Sequence, residues 1–468
     1  MKTLNYLKKL TAILLLTVAF TSCSDDDNDI VEFVPTESIV DIAFATQDLS
    51  DLYSALTKYP DLVDLLSNSG NFTVFAPNND AFDDLLVALG QTSIDDIPED
   101  VLKNVLQYHV FTGAALEASQ VMTGTITMAS GEDADVVADT NGVTIANATV
   151  VAIDGIGTNG VVHIIDSVMV PPSILPIVGT IVAPAYFNKN FSTLIAAVQA
   201  ADPSILELLL GNGPTDEGLT LFAPTNDAFT AAGITDLADV AAVVNEVLAY
   251  HVVNGTVLST DLPFTTIASA PIPTLLEGSS FYLTNKEGAG SVSINGTTQV
   301  VLEAANITAS NGVVHVIDKT LVPPTQDIVD IVVDFTQASN PQFTLLAAAL
   351  TKANLISALQ ADGPITVFAP TDAAFLAAGV DQAFIDAATP AQLQPILLHH
   401  AVEPSVAVFS SDVADGAVPM LNGTSVTISG LTILDGGGNT PAANLITDLL
   451  NVHATNGVIH VIDKVLLP

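Results

Sequence analysis

The sequence predicts an α+β fold written three times along 468 residues. Three observations carry this. A block reading Asn-Gly-Val-(Val/Ile)-His-(Ile/Val)-Ile-Asp runs from Asn159 to Asp166, from Asn311 to Asp318 and from Asn456 to Asp463. Each copy follows an earlier box centred on Phe-Ala-Pro, at Pro77, Pro224 and Pro370, a step of roughly 150 residues and so about one domain. Within each unit, apolar stripes at helical spacing come first and β-branched runs come later, which argues helices and strands segregated into layers.

The chain opens with a targeting segment over residues 1–22. Lys2, Lys8 and Lys9 precede a short apolar run, Leu10 to Phe20, with the flanks of a cleaved export signal and too few residues to span a bilayer. Phe20-Thr21-Ser22-Cys23 resembles the bacterial lipobox, so Cys23, the sole cysteine, is the expected lipidation site and first mature residue. Two or three acyl chains anchor stably where one is marginal. Ser24-Asp25-Asp26-Asp27-Asn28-Asp29 is similar to the surface-export signal of Bacteroidota; it also reads as a solvated tether, extended by like-charge repulsion. The Asp-x-Asp-x-Asp spacing lacks the glycine and closing glutamate of a calcium loop, and no metal is assigned.

The first repeat sets the pattern. Leu49, Leu52, Leu56, Tyr59, Val63 and Leu66 form a helical stripe that Asp48 or Ser50 could cap. Phe72 to Phe75 is a short strand stopped at Ala76-Pro77. Asn79 or Asp80 then caps a helix through Ala81, Phe82, Leu85 and Leu86. Pro98-Glu99-Asp100 opens another helix, with acids beside its positive end, running to Tyr108-His109. Strands are expected at 121–128, 143–145, 149–153, 161–165 and 168–170, split by Gly and Asn turns. Asn-Gly before Val-Val-His reads as a turn, and the strand that follows is apolar on both faces, as a central buried strand is.

These paired boxes, with Tyr108-His109-Val110 and Tyr250-His251-Val252 between them, resemble the fasciclin (FAS1) domain, three elements in the same order three times over. The resemblance covers about residues 35–468. It implies three tandem FAS1-like domains, each a wedge-like β-sandwich flanked by helices, with domain 1 at 35–172, domain 2 at 173–324 and domain 3 at 325–468, after the signal peptide (1–22) and the lipidated cysteine with its acidic tether (23–34). It also implies adhesion or matrix interaction without catalysis. The third repeat departs from the pattern, carrying His399-His400-Ala401 where the others have Tyr-His-Val, and the second carries extra loop residues around Gly213 to Gly218 and Asn285 to Gly288.

Composition narrows the partners. The chain has 10 lysines, no arginine and 51 acidic residues. Removing residues 1–22 takes away three of those lysines and no acid. Nucleic acid and anionic lipid surfaces both need basic patches and are not expected as partners; contact with the membrane is expected through the lipid anchor alone. Six of the eight histidines belong to the repeated framework: His109, His163, His251, His315, His400 and His460. Each lies in an apolar run and is expected to be structural, with no catalytic residue, metal or cofactor assigned; Asp166, Asp318 and Asp463 read as turn or cap residues. No nucleophile elbow, zinc-protease, phosphate-loop or dinucleotide signature occurs, and Gly436-Gly437-Gly438 reads as a flexible loop. The expectation is an exported outer-membrane lipoprotein, exposed at the cell surface, that binds an extracellular-matrix or cell-surface macromolecule, with contacts between copies as a further expectation. The alternative is a glycan-binding accessory protein, weakened by the absence of Trp and the small number of Tyr.

Overall fold

The computed structural model describes residues 34–236, 242–260, 271–285, 291–339, 342–361, 363–411, 415–435 and 442–468. The export segment, Cys23, the aspartate run at 25–29, the second-repeat loop residues Lys286 to Gly288 and the glycine run at 436–438 lie outside the described residues.

In the first repeat, Ser38 and Asp41 form a reciprocal cap on α1 (Ile39–Ala45). The stripe from Leu49 to Leu66 is two helices, not one: α2 (Ser50–Leu56) and α3 (Pro60–Ser67). Proline lacks the N–H that would continue α2 but suits a first helical position, so Pro60 starts a new axis. Neither Asp48 nor Ser50 caps α2, whose preceding residue is Leu49. Strand β1 (Phe72–Pro77) is buried at every residue. Asn78 caps α4 (Asn79–Leu89), accepting from the Ala81 N–H at 2.9 Å. Asn79 turns away and accepts from the Asp51 N–H at 3.1 Å, fastening α4 to α2. Helix α5 (Glu99–Gln107) follows Pro98 and ends at Tyr108.

Six more strands follow: β2 (Val110–Phe111), β3 (Gly124–Thr127), β4 (Asp133–Asp139), β5 (Gly142–Ile145), β6 (Ala148–Gly157) and β7 (Gly160–Ile165). Their order is β2-β1-β7-β6-β5-β4-β3. The sequence reading missed β4, whose aspartates hide an alternation that buries Ala134 and Val136. Residues 168–170, expected as a strand, are irregular. Strands β1 and β7 lie side by side in parallel, Phe72 beside Gly160 through to Pro77 beside Ile165. Val74, Ala76 and Val162 face the helices. Phe75 and Ile165 face the opposite way, into a second small core with Met128, Val136 and Ile145. The sheet thus folds back on itself, with helices on its outer face. The other repeats keep the parallel pair, Leu219–Pro224 with Gly312–Ile317 and Ile365–Pro370 with Gly457–Ile462.

The repeats are not independent beads. One apolar core runs from the first into the second, joining Phe82, Leu89 and Ile97 to Ile174, Ile181 and Phe187. Helix α4 explains this: it has 11 residues, whereas its counterparts Asn226–Ala231 and Asp372–Ala377 have 6 each. The added turns supply Leu85, Leu86 and Leu89, and the apolar residues just beyond Pro171-Pro172 pack onto them. A polar seam flanks the contact: Gln91 donates to the Pro184 carbonyl at 3.2 Å and accepts from Asn188 at 3.0 Å. The second and third repeats meet differently. There Tyr282 packs 5.4 Å from the Phe409 ring and 5.9 Å from the His453 ring, and Asn451 donates to the Gly296 carbonyl at 3.3 Å.

Candidate functional site

The repeated polar residues converge on the parallel strand pair of each unit. All six framework histidines are 3% exposed or less. They form two sets with opposite tautomers. His109, one residue beyond Tyr108 at the end of α5, donates from Nδ1 to the Val105 carbonyl at 2.7 Å and accepts at Nε2 from the Met169 N–H at 2.8 Å. His251 does the same with Val247 and Leu321, and His400 with Ile396 and Leu466. Each imidazole pins its helix to the segment that leaves the domain.

The second set sits on the central strand. His163 donates from Nε2 to the Leu116 carbonyl, His315 to Val257 and His460 to Val408, all at 2.8 Å. The other ring nitrogen accepts from a backbone N–H, of Asp154, Asn306 and Asn451 respectively, at 3.2 to 3.4 Å. The rings also pack against Phe75, Phe222 and Phe368 at centroid separations of 5.4 to 5.8 Å. Burial pushes His109, His251, His400 and His460 down to about 4 and lowers His315. In these five rings the acceptor nitrogen already faces a backbone N–H, which leaves no room for a second proton.

Three further side chains recur in the same roles, and the sequence reading assigned them none or a lesser one. Asn159, read as part of a turn, accepts from the Ile39 N–H at 3.0 Å and donates to the carbonyls of Leu66 and Asn68 at 2.7 and 2.8 Å. Asn311 and Asn456 repeat this clamp with Ile181, Leu209 and Gly211, and with Ile328, Leu359 and Ala361. Thr73 donates to the Ala114 carbonyl and accepts from the Leu116 N–H, both at 2.8 Å; Thr220 and Thr366 match it. Asp154, Asn306 and Asn451 adopt φ between 55° and 57°, a left-handed conformation that Asn and Asp tolerate. The one available signal was the recurrence of Thr and Asn at fixed offsets inside the boxes. Asp166, Asp318 and Asp463 each accept from a backbone N–H 17 to 19 residues upstream, at 2.6 to 2.7 Å, and so bridge strands.

The third repeat breaks the pattern at one place. Tyr108 and Tyr250 donate their hydroxyls to the carbonyls of Asp133 and Ser280 at 2.8 and 2.9 Å. His399 stands there instead, reaching Thr424 at 2.7 Å through Nδ1, while its Nε2 is buried without a hydrogen-bond partner. His453, the other histidine outside the framework, lies at the junction with the second repeat. Among the described residues, no three His, Cys, Asp or Glu side chains converge as metal ligands. What the arrangement can do chemically follows from its hydrogen bonds. Both nitrogens of each framework imidazole are engaged with backbone, so these groups hold chain segments together and leave no free base beside a nucleophile.

Comparison with known proteins matches this architecture to one family. A family model described as the Fasciclin domain fits residues 47–171, 189–323 and 341–468. "Protein sll1483" of Synechocystis sp. is 38% identical over 135 residues, covering 29% of this chain and 74% of that one. "Transforming growth factor-beta-induced protein ig-h3" of Sus scrofa is 24% identical over 409 residues, covering 86% of this chain and 54% of that protein. "Cell surface glycolipoprotein MPB83" of Mycobacterium bovis is 39% identical over 132 residues, covering 27% of this chain and 56% of the other.

Proposed function

The chain belongs to the fasciclin domain family, and from that premise we propose that it works by non-enzymatic binding at a cell surface. On this reading it is an exported, lipid-anchored outer-membrane protein whose three modules engage an extracellular-matrix or cell-surface macromolecule, with contacts between copies as a second mode. One observation carries the proposal: the polar residues that recur in every repeat are spent on backbone hydrogen bonds inside the fold. Recognition therefore belongs to the surfaces in which the repeats differ. The likeness to a protein named as a cell surface glycolipoprotein supports the placement, as does the lipobox-like run ending at Cys23.

Three modules on one anchor let weak contacts add, provided the geometry permits simultaneous engagement. The packed junctions favour this by reducing the orientational freedom lost on binding. The charge of −41 steers the protein away from anionic partners and toward neutral or basic ones. Deleting the gene is expected to reduce attachment to matrix-coated or cell-coated surfaces, and Cys23→Ser is expected to release the protein from the outer membrane and reproduce that defect. Undiminished attachment across a range of surfaces, with the protein absent, would remove the proposal.

A further inference from the structure

The junction between the second and third repeats encloses a cleft of about 430 Å³, inside the roughly 300–1,000 Å³ range of small-ligand sites, which favour domain interfaces. We propose that this cleft binds a neutral saccharide. Its wall mixes donors and acceptors in the way a polyhydroxylated ligand requires: the hydroxyls of Tyr282, Ser280 and Thr455, the Gln360 amide, the His453 imidazole and the Asp327 carboxylate.

Two of these groups line the cleft with hydrogen-bonding capacity that no described protein group uses. Tyr282 is 7% exposed, and its hydroxyl makes no hydrogen bond among the described residues. The ring is buried but the hydroxyl is not among the enclosed, unpaired polar atoms, so it opens to the cleft, where a ligand hydroxyl can take the place of water. His453 is held edge-on by the rings of Tyr282 and Phe409, at 74° and 77°, and its ring nitrogens likewise have no protein partner among the described residues. Burial keeps it neutral near pH 7, pushing it down to about 4. It can therefore give one hydrogen bond and accept another, as each sugar hydroxyl does.

Charge decides the ligand class. Among the described residues the lining holds no lysine, and the one carboxylate there, Asp327, already accepts from the Asp330 N–H at 2.8 Å as the cap of the helix Ile328–Gln337. An anion finds no cationic side chain among those residues, and one partly occupied carboxylate is too few for a hard cation, which takes six or more oxygen ligands. The first repeat, with Asp135 where the second has Tyr282 in the matching strand, builds no equivalent aromatic wall.

This inference names a partner chemistry for the surface-binding reading and in that sense rests on it. The test is calorimetric titration of the full chain with maltotetraose, cellotetraose, mannotetraose and xylotetraose, with a uronic-acid tetramer alongside. Binding of at least one neutral tetramer is expected, with a rise in the melting temperature. Tyr282→Phe keeps the ring contacts and should weaken that binding at least tenfold without lowering the melting point of the free protein. Asp327→Asn keeps a good helix cap and should weaken it as well. If none of the neutral tetramers binds, if only the uronic tetramer does, or if both variants bind like the parent, the inference is overturned. Attachment assays on the deletion strain remain informative in each case, because they do not depend on which ligand is involved.

Discussion

Asn311 shows how much one side chain can hold in this fold. It is 5% exposed and joins the start of the helical layer at Ile181 to the carbonyls of Leu209 and Gly211, which end the helix Pro203–Leu210. Asn311→Ala leaves three backbone groups without that partner, at a cost of about 1–3 kcal/mol for each one left buried and unpaired. A loss of about 3 kcal/mol in denaturant unfolding is expected, and a change below about 1 kcal/mol would show that water replaces the clamp. The neighbouring glycine is required by proximity: a Cβ on Gly312 would stand 1.9 Å from the Leu219 carbonyl oxygen. The sequence marked Asn-Gly as a turn, which is a local property. The clamp was hidden because its partners lie 100 to 130 residues away.

At the scale of elements, the length of one helix decides how two repeats join. Helix α4 continues past the point where its counterparts stop, ending at Gly90 with φ of 68°. Leu89 at its end is 1% exposed and belongs to the core shared by both repeats. Leu89→Ala should cost about 2–5 kcal/mol through the lost contacts and the residual cavity. Because that core spans two repeats, their unfolding should separate into distinct calorimetric transitions; a single unsplit transition with the parent's shape would argue against coupling through α4. The helical stripe was readable from its period, and β1 and β7 from short apolar, β-branched runs bounded by turn residues. The break at Pro60 and the strand β4 were not read, the first because an apolar stripe ran through it and the second because its outer face is acidic.

Across the whole molecule the histidines act together. Burial holds His109, His251, His400, His453 and His460 at about 4 in the folded state, below the ordinary value of about 6.5 for an unfolded chain. Protons therefore bind the unfolded chain first. The stability these groups contribute is complete above about pH 6.5 and is lost as pH falls through 4. Each of the fully enclosed rings withholds up to about 3 kcal/mol at the acid end. The melting temperature followed by circular dichroism at constant ionic strength should fall steadily from pH 7 to 4.5. A flat profile over that range would mean the rings are protonated in the fold or open to water. Salt must be held fixed, because self-repulsion at a net charge of −41 is itself screened by ions.

The sequence by itself determined the threefold repetition, the layered α+β class and the family resemblance. These are properties of composition, period and short motifs, each read within a few residues or summed over all of them. Only the tertiary structure decided which nitrogen of each framework histidine carries its proton, and that the first two repeats share a core while the third meets the second through aromatic rings. It alone placed Tyr282 and His453 in one cleft. Such relations join atoms far apart along the chain, and their energies depend on distance, burial and orientation, none of which a one-dimensional pattern contains.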